Sequence, residues 1–350
     1  MIAVSLKDTV QTLEEVQQFQ VSSDERLFSA DGDEIMKGWT TDIYFIKTRE
    51  ILRGLGLADK KVVAEVFAGR PGIIAGTGEV KKLLSKTGVE MWALPEGSPF
   101  AAKQVVMRIS GTYDSFGIYE TALLGVLASS SGWATAAGEV KKTAGDKTVI
   151  CFGARHVHPS VAPVMERAAV IGGADGCSCI LGAKLAGIDP TGTVPHAVFL
   201  IVGDTVEVAR AYKRLMPEGT PVVVLVDTFK DEAEETLRVA SALGHGLNAV
   251  RLDTASERGG VTTGLVREVR ARLDQAGYNH VRILVSGGVT PDRIPGLIEA
   301  GADAFGVGSY ISGARAIDMT MDIKEVDGRP VAKRGRIPGL TQAPGLEKML

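Results

Sequence analysis

From about Val149 onward, short apolar runs alternate with helical stretches. The runs are Val149–Phe152, Cys177–Leu181, a run near Thr193–Val202, Val222–Val226, Ala249–Leu252, Ile283–Val285 and Ala304–Val307. Strands that each return through a helix predict a parallel sheet. Repeated this often, and without a Gly-rich dinucleotide fingerprint, the pattern favours an α/β barrel over a doubly wound sheet. The helices are punctuated. Asp231 can cap a helix that stops at Gly244, and Thr290 followed by Pro291 reads as a helix start that stops at Gly301. One run stays open: Ala197–Val202 is too short for periodicity to separate strand from helix. A reactive His196 at a strand end would make Thr193–Pro195 the strand.

The first ~110 residues have a different texture. A helix is predicted from Thr41 (TDIYFIKT), with Thr40 or Thr41 as its N-cap. Strand-like pieces follow at Lys61–Phe67, Gly72–Ala75 and Val89–Leu94, and Pro95-Glu96-Gly97 reads as a turn. After Arg315 the barrel pattern ends. Asp322–Val331 predicts a hairpin turning at Asp327-Gly328, and the basic Lys333-Arg334-Gly335-Arg336 reads as a solvated strand end. The tail is expected to return to the first domain. The predicted domains are therefore residues 1–110 joined by 316–350, and residues 111–315.

Composition narrows the class. With 350 residues, 45% of them hydrophobic, the chain can bury a sizeable core, and 42 Gly suit close α/β packing. A net charge of −3 argues against a general electrostatic grip on nucleic acid or an anionic membrane. Cys151, Cys177 and Cys179 do not make a disulfide framework or a zinc site, and read as buried thiols. The N-terminus lacks an apolar signal core, and no apolar run is long enough to span a bilayer, so a cytoplasmic protein is expected.

Three groups of residues carry chemistry. Ser286-Gly287-Gly288-Val289-Thr290 and Gly306-Val307-Gly308-Ser309 belong to the last two strand-to-helix units, where barrels commonly bind phosphate through backbone N–H groups. Asp227, Arg251 and Asp253 stand at strand ends, and the i, i+2 spacing turns Arg251 and Asp253 to one side. Phe152-Gly153-Ala154-Arg155-His156-Val157-His158 crowds an aromatic, a cation and two imidazoles at the first strand end; anion binding by Arg155 fits better than a metal, because no carboxylate has matching spacing.

These residues resemble the nicotinate phosphoribosyltransferases, especially the compact prokaryotic type, within the nicotinate and quinolinate phosphoribosyltransferase superfamily. The likeness runs roughly from Asp31 to Gly339. Its carriers are TDIYF at Thr41, RISG-TYDSFGIYET from Arg108, FGARHVHP at Phe152, GGADGCS up to Ser178, GTVPHA at Gly192, VDTF around Asp227, VRLDT at Val250, SGGVTPD at Ser286 and FGVGSYI at Phe305. The resemblance implies an open seven-stranded α/β barrel plus an α/β sandwich formed by both chain termini. It implies transfer from phosphoribosyl pyrophosphate to nicotinate, giving nicotinate mononucleotide with Mg²⁺ and with ATP as a coupled or stimulating co-substrate, so that the enzyme is ligase-type when coupled.

It also implies roles. Phe152 would stack on the pyridine ring, with Tyr44 of a second copy on its other face in a homodimer with shared sites. Ser178 would sit near the ring, and Arg155 would bind phosphate or pyrophosphate. Arg251 would face the ring carboxylate or the ribosyl side, and Asp253 would oppose positive charge on the ribose. Thr193, Asp227 and Thr228 would line the substrate pocket, the last two near ribose or Mg²⁺. Ser286, Gly287, Gly288, Gly306, Gly308 and Ser309 would cradle the 5-phosphate. His196 would accept a phosphoryl group from ATP. No set of protein metal ligands is predicted, and without a Cys after Cys179 no zinc module is carried over. The rival readings are quinolinate phosphoribosyltransferase, a non-catalytic phosphosugar-binding barrel, and another phosphosugar barrel enzyme.

Overall fold

The computed structural model describes residues 9–19, 21 and 27–350. The chain forms two compact units, Met1–Gly132 with Arg315–Leu350, and Trp133–Ala314.

The first unit is built on a six-stranded antiparallel sheet. Its order is Arg329–Pro330, Met319–Val326, Lys61–Ala68, Val105–Thr112, Glu90–Ala93, Glu347–Lys348. Both ends of the sequence therefore share one sheet, and the tail returns as expected. Val62, Ala64, Val66 and Ala68 alternate into one apolar core with Met107 and Ile109. The hairpin after Met319–Val326 turns at Asp327 (φ 48) and Gly328 (φ 73), the double left-handed conformation that a tight hairpin turn requires.

Two readings change here. The helix Ile43–Gly54 is capped at Asp42, not Thr40 or Thr41, and Asp42 supplies no side-chain cap because its carboxylate accepts the Thr121 hydroxyl at 2.8 Å. The basic tail is exposed over Lys333–Gly335 but is more than a solvated strand end. Lys333 Nζ and Arg336 Nε lie 2.8 and 3.0 Å from the buried carboxylate of Asp322, and the Arg336 guanidinium sits 4.7 Å over the Phe67 ring. On the same sheet face Glu65 pairs with Arg108 across adjacent strands, and both also bond the backbone of Thr341.

Glu120 belongs to this unit and bears a perturbed carboxyl. Burial raises its pKa to about 7; the Tyr113 hydroxyl opposes the rise, Asp322 adds to it, and Lys333 opposes it. The folded chain thus holds this proton more tightly than the unfolded chain. The contribution to stability is complete below about pH 4.5 and declines as the pH rises towards 7. Glu120→Gln is expected to flatten that decline when denaturation midpoints are compared at mildly acidic and mildly basic pH. An unchanged decline in the variant would assign it to another group.

The second unit holds a six-stranded, wholly parallel sheet. Its order is Gly176–Cys177, Thr148–Cys151, Ala304–Val307, Arg282–Val285, Ala249–Leu252, Val223–Leu225. The first of these strands in sequence pairs with the last, so the sheet curls into a barrel. Gly176–Cys177 and Val223–Leu225 do not pair with each other, so the barrel is open, as the expected fold class has it.

The strand count differs from the expectation. Thr193–Pro195 has no regular structure, and His196–Val202 is a helix starting after Pro195. Pro195 carries no N–H for a sheet ladder, and a barrel strand would bury residues on both faces. This helix buries only Phe199 and leaves Leu200 and Ile201 at 64% and 84% exposure. The third unit of the pattern is thus a loop and helix at the barrel's open seam. Two further boundaries move. The strand in the Cys177–Leu181 run stops at Cys177 and a helix begins at Ile180. The helix expected at Thr290 starts instead at Ile294, because the Thr290 carbonyl first accepts the Arg293 and Ile294 N–H groups in a turn. Asp231 caps its helix as expected, accepting from the N–H of Ala233 at 3.0 Å, and that helix ends at Gly244.

Val149, Cys151, Val224, Val250, Ile283, Val285, Phe305 and Val307 form the outer face of the sheet, packed with Met165, Val239, Leu273 and Leu297 of the helices. The alternate residues, among them Ile150, Val223, Ala249, Leu284 and Ala304, line the inside of the sheet. No helix of the described residues is long and apolar enough to cross a membrane.

Candidate active site

Parallel strands deliver their C-terminal ends to one mouth, so the residues just past each strand converge there. Arg251, inside the strand Ala249–Leu252, forms the floor. Its Nε donates to the Ser286 hydroxyl at 2.8 Å, one terminal nitrogen to Thr193 Oγ1 at 2.9 Å, and the other to Asp253 Oδ2 at 3.0 Å. The guanidinium lies 5.0 Å over the Phe152 ring. Ser286 Oγ in turn lies 2.9 Å from Asp253 Oδ1. Burial pulls the Arg251 pKa down, while Asp253 and Asp227 hold it up. Five predicted residues on three strand-ends and one loop thus form a connected set around one largely buried cation.

His196 opens the seam helix. Its Nε2 lies 2.9 Å from Asp227 Oδ2; the imidazole is 38% exposed and the Asp227 carboxylate 4%. Burial raises the Asp227 pKa and the hydrogen bond from His196 lowers it, with a net rise. Asp227 Oδ1 and Thr228 Oγ1 are buried without a protein partner. A buried polar atom without a partner is costly, so both mark a place where a ligand atom can complete the bonding.

The Ser286–Thr290 loop is shaped for an anion. Gly287 (φ 80) and Gly288 (φ 66) adopt the left-handed conformation, and a Cβ on Gly287 would sit 3.0 Å from Asp253 Oδ1. Arg293 ties the loop from behind, donating to the carbonyls of Gly287, Gly288 and Val261. With those carbonyls turned one way, the following planar amides present their N–H groups the other way. The N–H groups of Gly287, Gly288, Val289 and Thr290 bond no described protein group.

Gly306 and Gly308 play another part. A Cβ on Gly306 would come within 2.5 Å of two Phe152 ring carbons, and one on Gly308 within 2.6 Å of His156 Cε1. These glycines make room for Phe152 and for His156, whose Nδ1 lies 3.2 Å from Ser312 Oγ. Ser309 begins the short helix Ser309–Ser312 beside them. Arg155 is exposed on the single turn Ala154–His156. Ser178 follows the strand Gly176–Cys177, and its hydroxyl donates to Glu166 at 3.0 Å. Tyr44 belongs to the first unit, where its ring packs on Phe45 at 4.2 Å between centroids. Cys151 and Cys177 are buried, and burial pushes the Cys177 thiol up to about 12, which leaves it inert as a nucleophile at neutral pH.

Two site residues escaped the sequence. Arg293 fixes the anion loop through three carbonyls, a role no spacing signals. Glu166 sits under the mouth on the helix Ala162–Ile171. Its only trace was an acid on the buried face of a helix that is apolar but for the neighbouring Arg167.

The two units coincide with two family models. Residues 42–131 match the quinolinate phosphoribosyl transferase N-terminal domain, and residues 133–322 match its C-terminal domain. The chain belongs to the quinolinate phosphoribosyltransferase family. The crystal structure of nicotinate-nucleotide pyrophosphorylase from Pyrococcus furiosus is 45% identical, with a TM-score of 0.86 over 90% of this chain and 82% of that one. A probable carboxylating nicotinate-nucleotide pyrophosphorylase of Archaeoglobus fulgidus is 24% identical over 75% of this chain and 95% of its own. A nicotinate phosphoribosyltransferase of Mycobacterium tuberculosis is 28% identical over 85% of this chain and 74% of its own.

Membership in the quinolinate family corrects the resemblance drawn from the motifs. The nicotinate phosphoribosyltransferase assignment, its ATP coupling, its ligase character and a phosphorylated His196 all give way to it. One ring nitrogen of His196 is committed to the buried carboxylate of Asp227.

Proposed function

We propose that the chain transfers the 5-phosphoribosyl group of phosphoribosyl pyrophosphate to quinolinate, giving nicotinate mononucleotide, pyrophosphate and carbon dioxide. The pyridine nitrogen forms the new bond to C1 of the ribose as the bond to pyrophosphate breaks. The ring C2–carboxylate bond then breaks, and its electron pair takes a proton. The observation that carries this reading is the match of both units to the quinolinate phosphoribosyltransferase domains, supported by the 45% identity to the Pyrococcus furiosus nicotinate-nucleotide pyrophosphorylase.

The mouth suits this chemistry. The ring nitrogen has a free lone pair, so rate enhancement rests on position and charge. In this reading the N–H groups of Gly287 to Thr290 hold the 5-phosphate, with Ser309 beside them. Phe152 stacks on the ring. The exposed Arg155 and the remaining N–H groups of Arg251 supply the cations that two carboxylates and a pyrophosphate demand. Asp253 opposes the positive charge that grows on the ribosyl carbon. His196, braced by Asp227, is the partly exposed group placed to exchange a proton at the mouth. The chain would act as a homodimer, with Tyr44 of a second copy closing the ring pocket.

The donors present also fit Mg²⁺. Asp227 has one carboxylate oxygen without a protein partner, and no group of three or more His, Cys, Asp or Glu gathers among the described residues. Mg²⁺ takes one or two carboxylates and completes its shell with water and substrate phosphates. Asp227 would hold the ion, which would neutralise pyrophosphate charge.

The test is release of labelled carbon dioxide from carboxyl-labelled quinolinate with phosphoribosyl pyrophosphate and Mg²⁺, with nicotinate assayed in parallel. Carbon dioxide in step with nicotinate mononucleotide is the expected result. Product from nicotinate, with none from quinolinate, overturns the proposal.

A further inference from the structure

Glu166 is fully buried and makes no ion pair with any described residue. Its carboxylate is satisfied by three donors from two separate loops of the barrel mouth. Oε1 accepts the Ala154 N–H at 3.0 Å and the Ser178 hydroxyl at 3.0 Å, and Oε2 accepts the Cys179 N–H. Ala154 begins the turn that carries Arg155, two residues after Phe152. Ser178 and Cys179 follow the neighbouring strand Gly176–Cys177, which pairs with Thr148–Cys151. One side chain therefore ties the loop bearing Phe152 and Arg155 to the loop bearing Ser178.

The bond to Ser178 has a chemical consequence. A hydroxyl has one proton to give and two lone pairs. With the Ser178 proton directed at Glu166, the oxygen faces any other neighbour as an acceptor. Likewise the Ala154 and Cys179 N–H groups are taken up and are not anion donors. Glu166 thus decides which of the mouth's donors remain for a ligand as well as how far apart its two walls stand.

We infer that Glu166 is a positioning residue: it holds the Phe152–Arg155 wall and the Ser178 wall of the mouth at a fixed separation and keeps Ser178 an acceptor. The inference rests on the proposed transfer reaction only in its choice of assay. Misplacement of reacting groups by about 1 Å can cost a hundredfold in rate. Glu166→Gln keeps the shape but turns an N–H₂ towards at least one donor, so the three bonds cannot all persist. Glu166→Asp keeps the charge but is one methylene short of spanning both loops.

The experiment compares wild type, Glu166→Gln, Glu166→Asp, Ser178→Ala and the double variant Glu166→Gln/Ser178→Ala, well below their unfolding temperatures. Steady-state kinetics is read together with amide hydrogen exchange over residues 152–157 and 178–179. Glu166→Gln is expected to speed exchange in both segments and to lower kcat/KM by about tenfold to a hundredfold, chiefly through KM for the pyridine substrate. The loss in the double variant should fall short of the product of the single losses, because both changes act on one bond. Faster exchange with kcat/KM within twofold of wild type in the folded variants reduces Glu166 to a stability role and overturns the inference. So does a double-variant loss equal to the product of the single losses. Absence of turnover in the wild type would strike at the proposed reaction instead, and the inference would then be decided by whether Glu166→Gln weakens pyrophosphate binding measured by calorimetry, unchanged affinity overturning it.

Discussion

Arg251→Leu is expected to lower kcat/KM by about a thousandfold, the loss typical of removing a buried group that organises charge at a reacting centre. Leucine keeps much of the volume beneath Phe152 but none of the three donated bonds to Ser286, Thr193 and Asp253. Asp253 would then stand 17% exposed without its cation. It would be free to reorient, and it would then oppose ribosyl charge less well. Arg251→Lys separates charge from geometry. It restores a cation but not the planar fork that reaches three partners, so it should recover only a small part of the loss. Steady-state assays with the pyridine substrate and phosphoribosyl pyrophosphate varied in turn check this, with denaturant unfolding to confirm the fold. A leucine variant within tenfold of wild type would remove Arg251 from the centre of the site.

Gly172→Ala is expected to produce the largest loss of stability. Gly172 ends the helix Ala162–Ile171, and a Cβ there would lie 2.1 Å from the Ala134 carbonyl oxygen and within 2.9 Å of two further Ala134 backbone atoms. Backbone cannot swing aside as a side chain can, so the end of this helix must move away from the helix Glu120–Ala144 at Ala134. Overpacking of this kind costs about 3 kcal/mol at the upper end of its usual range. In a unit of this size that is a fall in melting temperature of roughly 6–12 °C. Calorimetry checks it, and a shift under about 2 °C would show that the helices part without cost. The same substitution at Gly192, which like Gly172 has no positive φ but where a Cβ meets nothing within 4 Å, is a control for replacing a glycine without a steric conflict.

Several short apolar runs were legible as strands from their recurrence between helical stretches. Ala249–Leu252 and Arg282–Val285 lie almost where the apolar runs put them. The tail's return was legible because Asp327-Gly328 is a turn signal that leaves little choice of conformation. The seam was not, because Ala197–Val202 suits either period, and what decides is the missing N–H of Pro195 together with the lack of a strand to pair with. Arg251, Asp253, Ser286 and Thr193 were each named from sequence, but their joining through one guanidinium is a tertiary fact. Glu166 and Arg293 were missed for the same reason, since neither lies within a motif and both act by bonding loop groups that only the folded chain brings to them.

The choice of substrate was misread because the motifs report the half of the reaction that both branches share. SGGVT and FGVGS speak to a phosphate, and FGAR to a ring and an anion. Nicotinate and quinolinate differ by one carboxylate, and a spare N–H on an arginine or one exposed cation answers that difference without any motif of its own.

The sharing of one sheet by both chain ends bears on how the molecule is made. Lys61–Ala68 has Val105–Thr112 as an early neighbour, but its other edge waits for Met319–Val326, with Val62 opposite Val326. During synthesis that edge leaves the ribosome long before its partner exists. The second unit, continuous from Trp133 to Ala314, can close meanwhile. Domains fold as units as they emerge, and an unpaired strand edge invites pairing with another chain. The nascent protein therefore carries an open, adhesive edge until Met319–Val326 emerges, and its yield in a cell depends on what shields that edge until then.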